Sequence, residues 1–222
     1  MTRDHQAADR ALLRAGLAAG AIFFTVPTIE IFIRPGFDLA RHAISMLSLG
    51  ERGWLMTATF IVTGLLTILS AIGMRRILVG DRLGTWGAGL IGVYGAGMVA
   101  AGLFPAQAGM GFPPGTPDDL MPDMTTPVAI LHGLAFMVGF AALIAACFVF
   151  ARRFVKIDAR GWATFSAAAG VAIPLFIIIG MSGIVAAGIA IYFGGMLAWC
   201  WLAAIVLRLS QENQGISALR AG

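Results

Sequence analysis

Read in windows of about 19 residues, the chain alternates long apolar stretches with short polar ones. The apolar stretches cover residues 12–33, 54–74, 85–104, 128–150, 161–181 and 184–207, which together make 131 of the 222 residues. A helix needs about 20 residues to cross a hydrocarbon core of about 30 Å, so each stretch predicts one crossing. The alternating segments of about 10 residues that mark an outer-membrane barrel are not seen. Only Ser182 and Gly183 separate the last two stretches. One helix of about 47 residues would be twice the length of a crossing, so a tight hairpin is expected there. The pattern predicts an all-α polytopic bundle of six transmembrane helices, forming a single integral membrane domain over residues 1–222.

One further helical pattern lies between the first two spans. After the breaker Arg34-Pro35-Gly36, the residues Phe37, Ala40, Ile44 and Leu47 fall on one face at 3.6 residues per turn. Asp38, Arg41, His42, Ser45 and Ser48 fall on the opposite face. The segment predicts an amphipathic helix of about three turns, too short to cross and suited to the membrane interface. Its polar face meets water and headgroups, or else turns inward to roof a cavity in the bundle.

Composition agrees with the pattern. Hydrophobic residues make up 59% of the chain and charged residues 12%, half the usual share of a soluble domain. That supply cannot cover a soluble surface, which excludes a cytosolic enzyme, a disordered tail and a nucleic-acid partner. The basic balance follows topology. Twelve of the 15 Lys and Arg flank the ends of the spans on one side, with Arg34, Arg41 and Arg52 alone on the other. The positive-inside bias places the twelve, and both termini, in the cytoplasm. A cell membrane facing the cytoplasm is the expected location, with the lipid bilayer as the immediate partner. Trp54, Trp86 and Trp162 stand at span starts, where interfacial aromatics belong. The first span is too long for a signal-peptide core and lacks an A-x-A exit, so it is expected to stay as a helix.

Several motifs carry no chemistry. Gly87, Gly89 and Gly92 satisfy GxGxxG, but within an apolar span and without the strand and acidic partner that dinucleotide binding requires. The stripe Gly84, Ala88, Gly92, Ala96 and Ala100 instead suits close helix approach in lipid, within the bundle or across a homodimer. Cys147 and Cys200 stand singly, which fits packing residues. Neither HxxxH nor HExxH spacing occurs, so no metal and no cofactor is expected.

The polar residues near the outer end are the informative ones. Glu30 lies three residues before the end of the first span, and His132 lies four residues into the fourth. At about 1.5 Å per residue, both sit roughly 4–6 Å below the outer interface. Ionisable groups inside a span are costly and usually face the bundle interior or a wet cavity. Arg34 stands one turn after Glu30, on the same face. A local Glu30–Arg34 ion pair with a satisfied His132 explains these residues. So does one polar pocket built from Glu30, Arg34, Asp38, Arg41, His42, Ser45 and His132. The second outer loop, residues 105–127, holds six of the nine prolines, three Asp and no Lys or Arg. Fixed proline φ angles suit an ordered cover in its first part, with the acidic stretch mobile.

The runs RPGFDLARHAISMLSLGERGW, FIVTGLL, GMRR, GTWG, GLFPAQAGMGFPPGTP, LHG and GFAALIAACFVFARRF resemble the bacterial membrane family termed domain of unknown function 998. The resemblance covers about residues 34–171, more weakly beyond. It implies a six-helix membrane fold and no established activity. Where the family pattern often has Asp, in an F-x-A-D stretch after the third span, this chain has Gln107, which can hydrogen-bond but cannot ionise.

Two function classes follow. One is a multi-pass membrane protein with an outward-facing polar pocket for an amphipathic or isoprenoid-like ligand, with Arg34, Arg41 and Gln107 as binding candidates. The other is an intramembrane acid/base enzyme, a proton-initiated terpene cyclase or a lipid hydrolase. Its catalytic candidates are Glu30, Asp38, His42, Ser45 and His132. Transport is disfavoured, because spans 1–3 and 4–6 show no convincing repeat.

Overall fold

The computed structural model describes residues 3–182 and 186–219. Its six long helices are α1 (Arg3–Ile33), α2 (Gly53–Ile77), α3 (Arg82–Leu103), α4 (Pro127–Lys156), α5 (Arg160–Met181) and α6 (Ala187–Leu219). No strand occurs among the described residues. All six are long and apolar enough to cross a membrane, as the hydropathy pattern predicts. The ends are set by local chemistry. Asp81 caps α3 by accepting the Gly84 N–H at 3.0 Å, and Thr126 caps α4 with Pro127 in its first turn. The expected start of the sixth span at Ile184 and the hairpin residue Gly183 lie outside the described residues.

Each helix packs on its neighbours in sequence, and α6 closes the set against α1. Helix α6 is also the most enclosed. Its Trp199 meets Phe23 of α1 and Tyr94 of α3, with ring centroids 5.2 and 5.7 Å away. Its Trp201 is fully buried against Phe150 of α4 and donates to Ser166 Oγ of α5 at 3.2 Å. Large rings thus fill the middle, where lipid gives no hydrophobic drive and dispersion contacts must hold the helices together.

Small residues set the remaining contacts. A Cβ on Gly64 would stand 2.7 Å from the Gly95 carbonyl oxygen, so α2 and α3 approach as closely as backbones allow. A Cβ on Gly97 would likewise stand 2.9 Å from the Ala135 carbonyl oxygen of α4. The stripe anticipated on α3 serves the bundle only in part: Gly84 and Ala88 are buried, Gly92 and Ala100 half-buried, and Ala96 exposed. Four residues advance about 400° at 100° each, so a four-residue spacing winds off the contact face. The GxGxxG run is inside α3, with Gly87 against the Phe150 ring. Cys147 is a buried packing residue, but Cys200 is exposed and packs nothing in the core.

The first loop departs from its expected three-turn α-helix. It runs through turns from Arg34 to Arg41 and then forms a five-residue 3-10 helix, Ile44–Ser48. Side chains compete for the backbone here. Asp38 Oδ1 accepts the Ala40 N–H at 2.8 Å, and His42 Nδ1 accepts the Asp38 N–H at 2.9 Å. Ala43 is extended at φ −68°, ψ 145°, which ends any helix before it could reach Ile44. Leu47 is nevertheless fully buried and Phe37 and Ile44 half-buried, whereas Ala40 is exposed, so three of the four apolar positions face inward on a different backbone.

Candidate functional site

The end of the bundle away from the termini carries three polar clusters, not one. The first joins Glu30 to two arginines. Arg34 Nε donates to Glu30 Oε2 at 2.8 Å, and Arg52 Nη2 donates to Glu30 Oε1 at 2.5 Å. Glu30 is 2% exposed. One turn of α1 separates Glu30 from Arg34, which explains that pair; Arg52 comes from the far end of the loop. Arg34 also donates to the carbonyls of Leu47, Leu49 and Arg52 at 3.0–3.2 Å. These acceptors lie at the end of the 3-10 helix and in the turn that leads into α2, and one guanidinium gathers all three. The cluster staples the first loop to the end of α1. Both Glu30 oxygens are occupied by cations.

The second cluster centres on His42, which is 1% exposed. Because an amide N–H donates to Nδ1, that nitrogen carries no proton. Nε2 is therefore the protonated nitrogen, and it donates to the Met110 carbonyl at 2.9 Å. Phe112 and Phe37 pack on the imidazole, each with its ring centroid 5.4 Å away. Phe112 itself is fully buried. His42 thereby joins the first loop to the proline-rich second loop. That loop folds on itself: Gly109 and Phe112 exchange backbone hydrogen bonds at 3.0 Å, and Met110 N–H donates to the Leu120 carbonyl at 2.6 Å. Its acidic stretch meets the first loop at one exposed pair and otherwise bonds within itself. The Asp118 carboxylate stands 3.5 Å from Arg41, and Thr125 donates to Asp123 through both hydroxyl and amide.

The third cluster lines a cavity of about 230 Å³ beneath this loop. Its polar lining is Arg41, Ser45, Gln107 and His132. The rest is apolar, with Met46, Met110, Met124 and Ile191 as the larger members. His132 lies in the first turns of α4, and its Nδ1 donates to the carbonyl of Phe104, the residue that ends α3, at 2.6 Å. That bond requires a proton on Nδ1, because a carbonyl oxygen only accepts, and leaves Nε2 with no protein partner among the described residues. The ring is only half-buried. Arg41 is exposed at the rim.

The seven residues expected to share one pocket are therefore divided. Arg41, Ser45 and His132 line the cavity, together with Gln107. Glu30 and Arg34 do not line it; α1 packs mainly on α2 and α6, whereas His132 sits on α4 beside α3. Asp38 and His42 are held in the link between the loops. Arg52, Met110, Met124 and Ile191 were not singled out by sequence. Nothing near Arg52 in the chain signals a carboxylate partner 22 residues away, and a methionine carries no mark that it borders a cavity.

A second ionic cluster at the opposite end also escaped sequence reading. Arg153, 6% exposed, donates to Asp81 at 2.6 Å and to Glu212 at 2.9 Å. Partial burial pushes the Asp81 carboxyl up. The Gly84 N–H and the Arg153 guanidinium outweigh it and hold the group below its ordinary value of 3.8. Among the described residues, no group of three His, Cys, Asp or Glu side chains is placed to hold a metal ion.

Comparison with known proteins agrees with the resemblance read from the motifs. The family model described as Protein of unknown function (DUF998) matches residues 17–208. No curated protein and no solved structure matches the chain. A match over most of the length, on a fold with the six apolar helices that the resemblance implies, places this chain in the DUF998 family, a family of unknown function.

Proposed function

We propose that the protein binds one end of an amphipathic or isoprenoid-like molecule in the cavity beneath its proline-rich loop. The observation that carries this reading is the lining: an apolar wall with four polar side chains, one of them a histidine with an unpartnered ring nitrogen. Pockets for small ligands share this composition of mostly apolar surface with a few directed polar groups. The cavity, at about 230 Å³, falls below the roughly 300–1,000 Å³ of pockets that enclose whole drug-sized ligands. It therefore suits a headgroup or chain end, with the rest of the molecule in lipid. Gln107 and His132 supply hydrogen bonds, Ser45 a hydroxyl, and Arg41 a cation at the rim. The distribution of Lys and Arg supports a location in the bacterial cytoplasmic membrane, with both termini cytoplasmic and the cavity facing outward.

Ser45 and His132 on one lining keep an acid/base enzyme acting on a lipid as the second reading. Glu30 contributes less to that reading, since two arginines take both its oxygens. Photolabelling with an alkyl amphiphile carrying a diazirine tests the proposal. Label is expected on the segments holding Met110, Met124 and Ile191, and is expected to fall at least fivefold in Gln107→Trp, whose ring fills the cavity. Labelling that ignores the filled cavity overturns the binding reading.

A further inference from the structure

At the end of the bundle that carries the termini, the turn before α3 and the last turn of α4 enclose a cavity of about 400 Å³. Three cations line it, Arg82, Arg153 and Lys156, against one carboxylate, Asp81. Arg153 is the member already matched, by Asp81 and Glu212. Even so, its guanidinium has five N–H donors, of which three are engaged among the described residues. Arg82 and Lys156 are exposed and form no ion pair among the described residues. The cavity thus presents an excess of positive charge that the protein does not neutralise.

Its depth identifies the class of ligand. Arg82 opens one membrane-spanning helix and Lys156 closes another, so the cavity lies where the spans meet water, at the level of lipid phosphates. Trp86, one turn beyond Arg82, is 63% exposed in the position of an interfacial aromatic. Basic pockets between transmembrane helices are suited to anionic headgroups. The helix end itself is not the attraction, because Asp81 already accepts the Gly84 N–H; the charge comes from side chains. We propose that this cavity binds the phosphate of an anionic lipid headgroup, with Arg82 and Lys156 as its direct partners and Arg153 behind them.

The test uses the full chain in detergent micelles, titrated with phosphatidylglycerol while the thermal unfolding midpoint is followed. Phosphatidylglycerol is expected to raise the midpoint, and phosphatidylcholine and inorganic phosphate to leave it unchanged. At about one kcal/mol for each basic residue near an anionic lipid, Arg82→Gln with Lys156→Gln should raise the half-effective lipid concentration about thirtyfold. Arg75→Gln with Arg152→Gln removes two exposed cations from the same end but outside the cavity, and should leave it within about twofold. The variants must match the wild-type midpoint without lipid; should the first pair fall short, Arg82→Gln and Lys156→Gln taken singly serve in its place, each raising the half-effective concentration about fivefold where Arg75→Gln or Arg152→Gln alone leaves it unchanged. Equal losses in the two glutamine pairs would show diffuse surface charge and overturn the site. An equal shift with phosphatidylcholine, or the full shift with inorganic phosphate alone, would overturn the anionic lipid as its ligand.

Discussion

Glu30 is a buried carboxylate held by two guanidinium groups, and its replacement separates structural from chemical roles. Glu30→Gln keeps the side-chain shape and removes the charge that compensates Arg34. Breaking a buried pair from one side costs about 3–5 kcal/mol, so the variant should unfold at clearly lower temperature or denaturant; a loss under about 1 kcal/mol would contradict the stapling role. His42→Ala removes an acceptor for Asp38 N–H and a donor to the Met110 carbonyl. With two backbone groups orphaned at about 1–3 kcal/mol each, residues 105–127 should become more open to protease, and unchanged cleavage would sink this link. At the other end, the Asp81 carboxyl lies below its ordinary 3.8. A group lowered on folding stabilises the protein above its unfolded value, and that stability is lost as pH falls through the folded one. The wild type should therefore lose more stability than Asp81→Asn as pH drops below about 4. Parallel curves would show that Arg153 does not depend on this partner.

At the scale of elements, helix pairing rests on a few close approaches. Gly64→Val would drive a side chain into the Gly95 carbonyl and Val99, where overpacking costs about 1–3 kcal/mol. Gly89→Ala meets nothing within 4 Å and replaces glycine by a better helix former, so its stability should equal or exceed wild type. Comparing the two by thermal unfolding in detergent checks the packing; equal effects would mean that α2 and α3 do not meet through Gly64. Both glycines belong to apolar spans and look alike in sequence. The first loop shows the complementary lesson. Its helical spacing is real in the chain, yet Asp38, His42 and Arg34 take backbone partners that an α-helix would need, and a short 3-10 helix results.

For the whole molecule, the six helices put the start of α1 and the end of α6 at one end and the two long loops at the other. On the proposed orientation, with the basic residues on the cytoplasmic side, an impermeant thiol reagent outside the cell should reach single cysteines at Ser48 and Thr116, but not at Gly80 or Asp158. The background for this is a chain without Cys147 and Cys200. Labelling at Asp158 from outside would reverse the orientation. The bundle also explains why the two ends differ. At the termini end, carboxylates from α3's cap and α6 converge on Arg153, whereas at the loop end the chain folds over a cavity.

Much of the architecture was legible in one dimension because a bilayer makes a simple demand. A crossing segment must be about 20 apolar residues and must satisfy its own backbone hydrogen bonds, so length and hydropathy alone determined six helices. The Glu30–Arg34 pair was legible for a similar reason, since four residues make one helical turn. Partners that meet through space were not. Arg52 reaches Glu30 from 22 residues away, Asp81 and Glu212 reach Arg153 from 72 and 59, and no local period records such distances. Tertiary structure alone decided that α6 is the most enclosed helix, through rings that resemble any other apolar residue in a hydropathy window. It also decided that the outer polar residues divide into a staple, a loop link and a cavity lining. Each loop side chain bonds whichever backbone groups the packed helices leave unsatisfied near it, and that inventory does not exist until the bundle has closed.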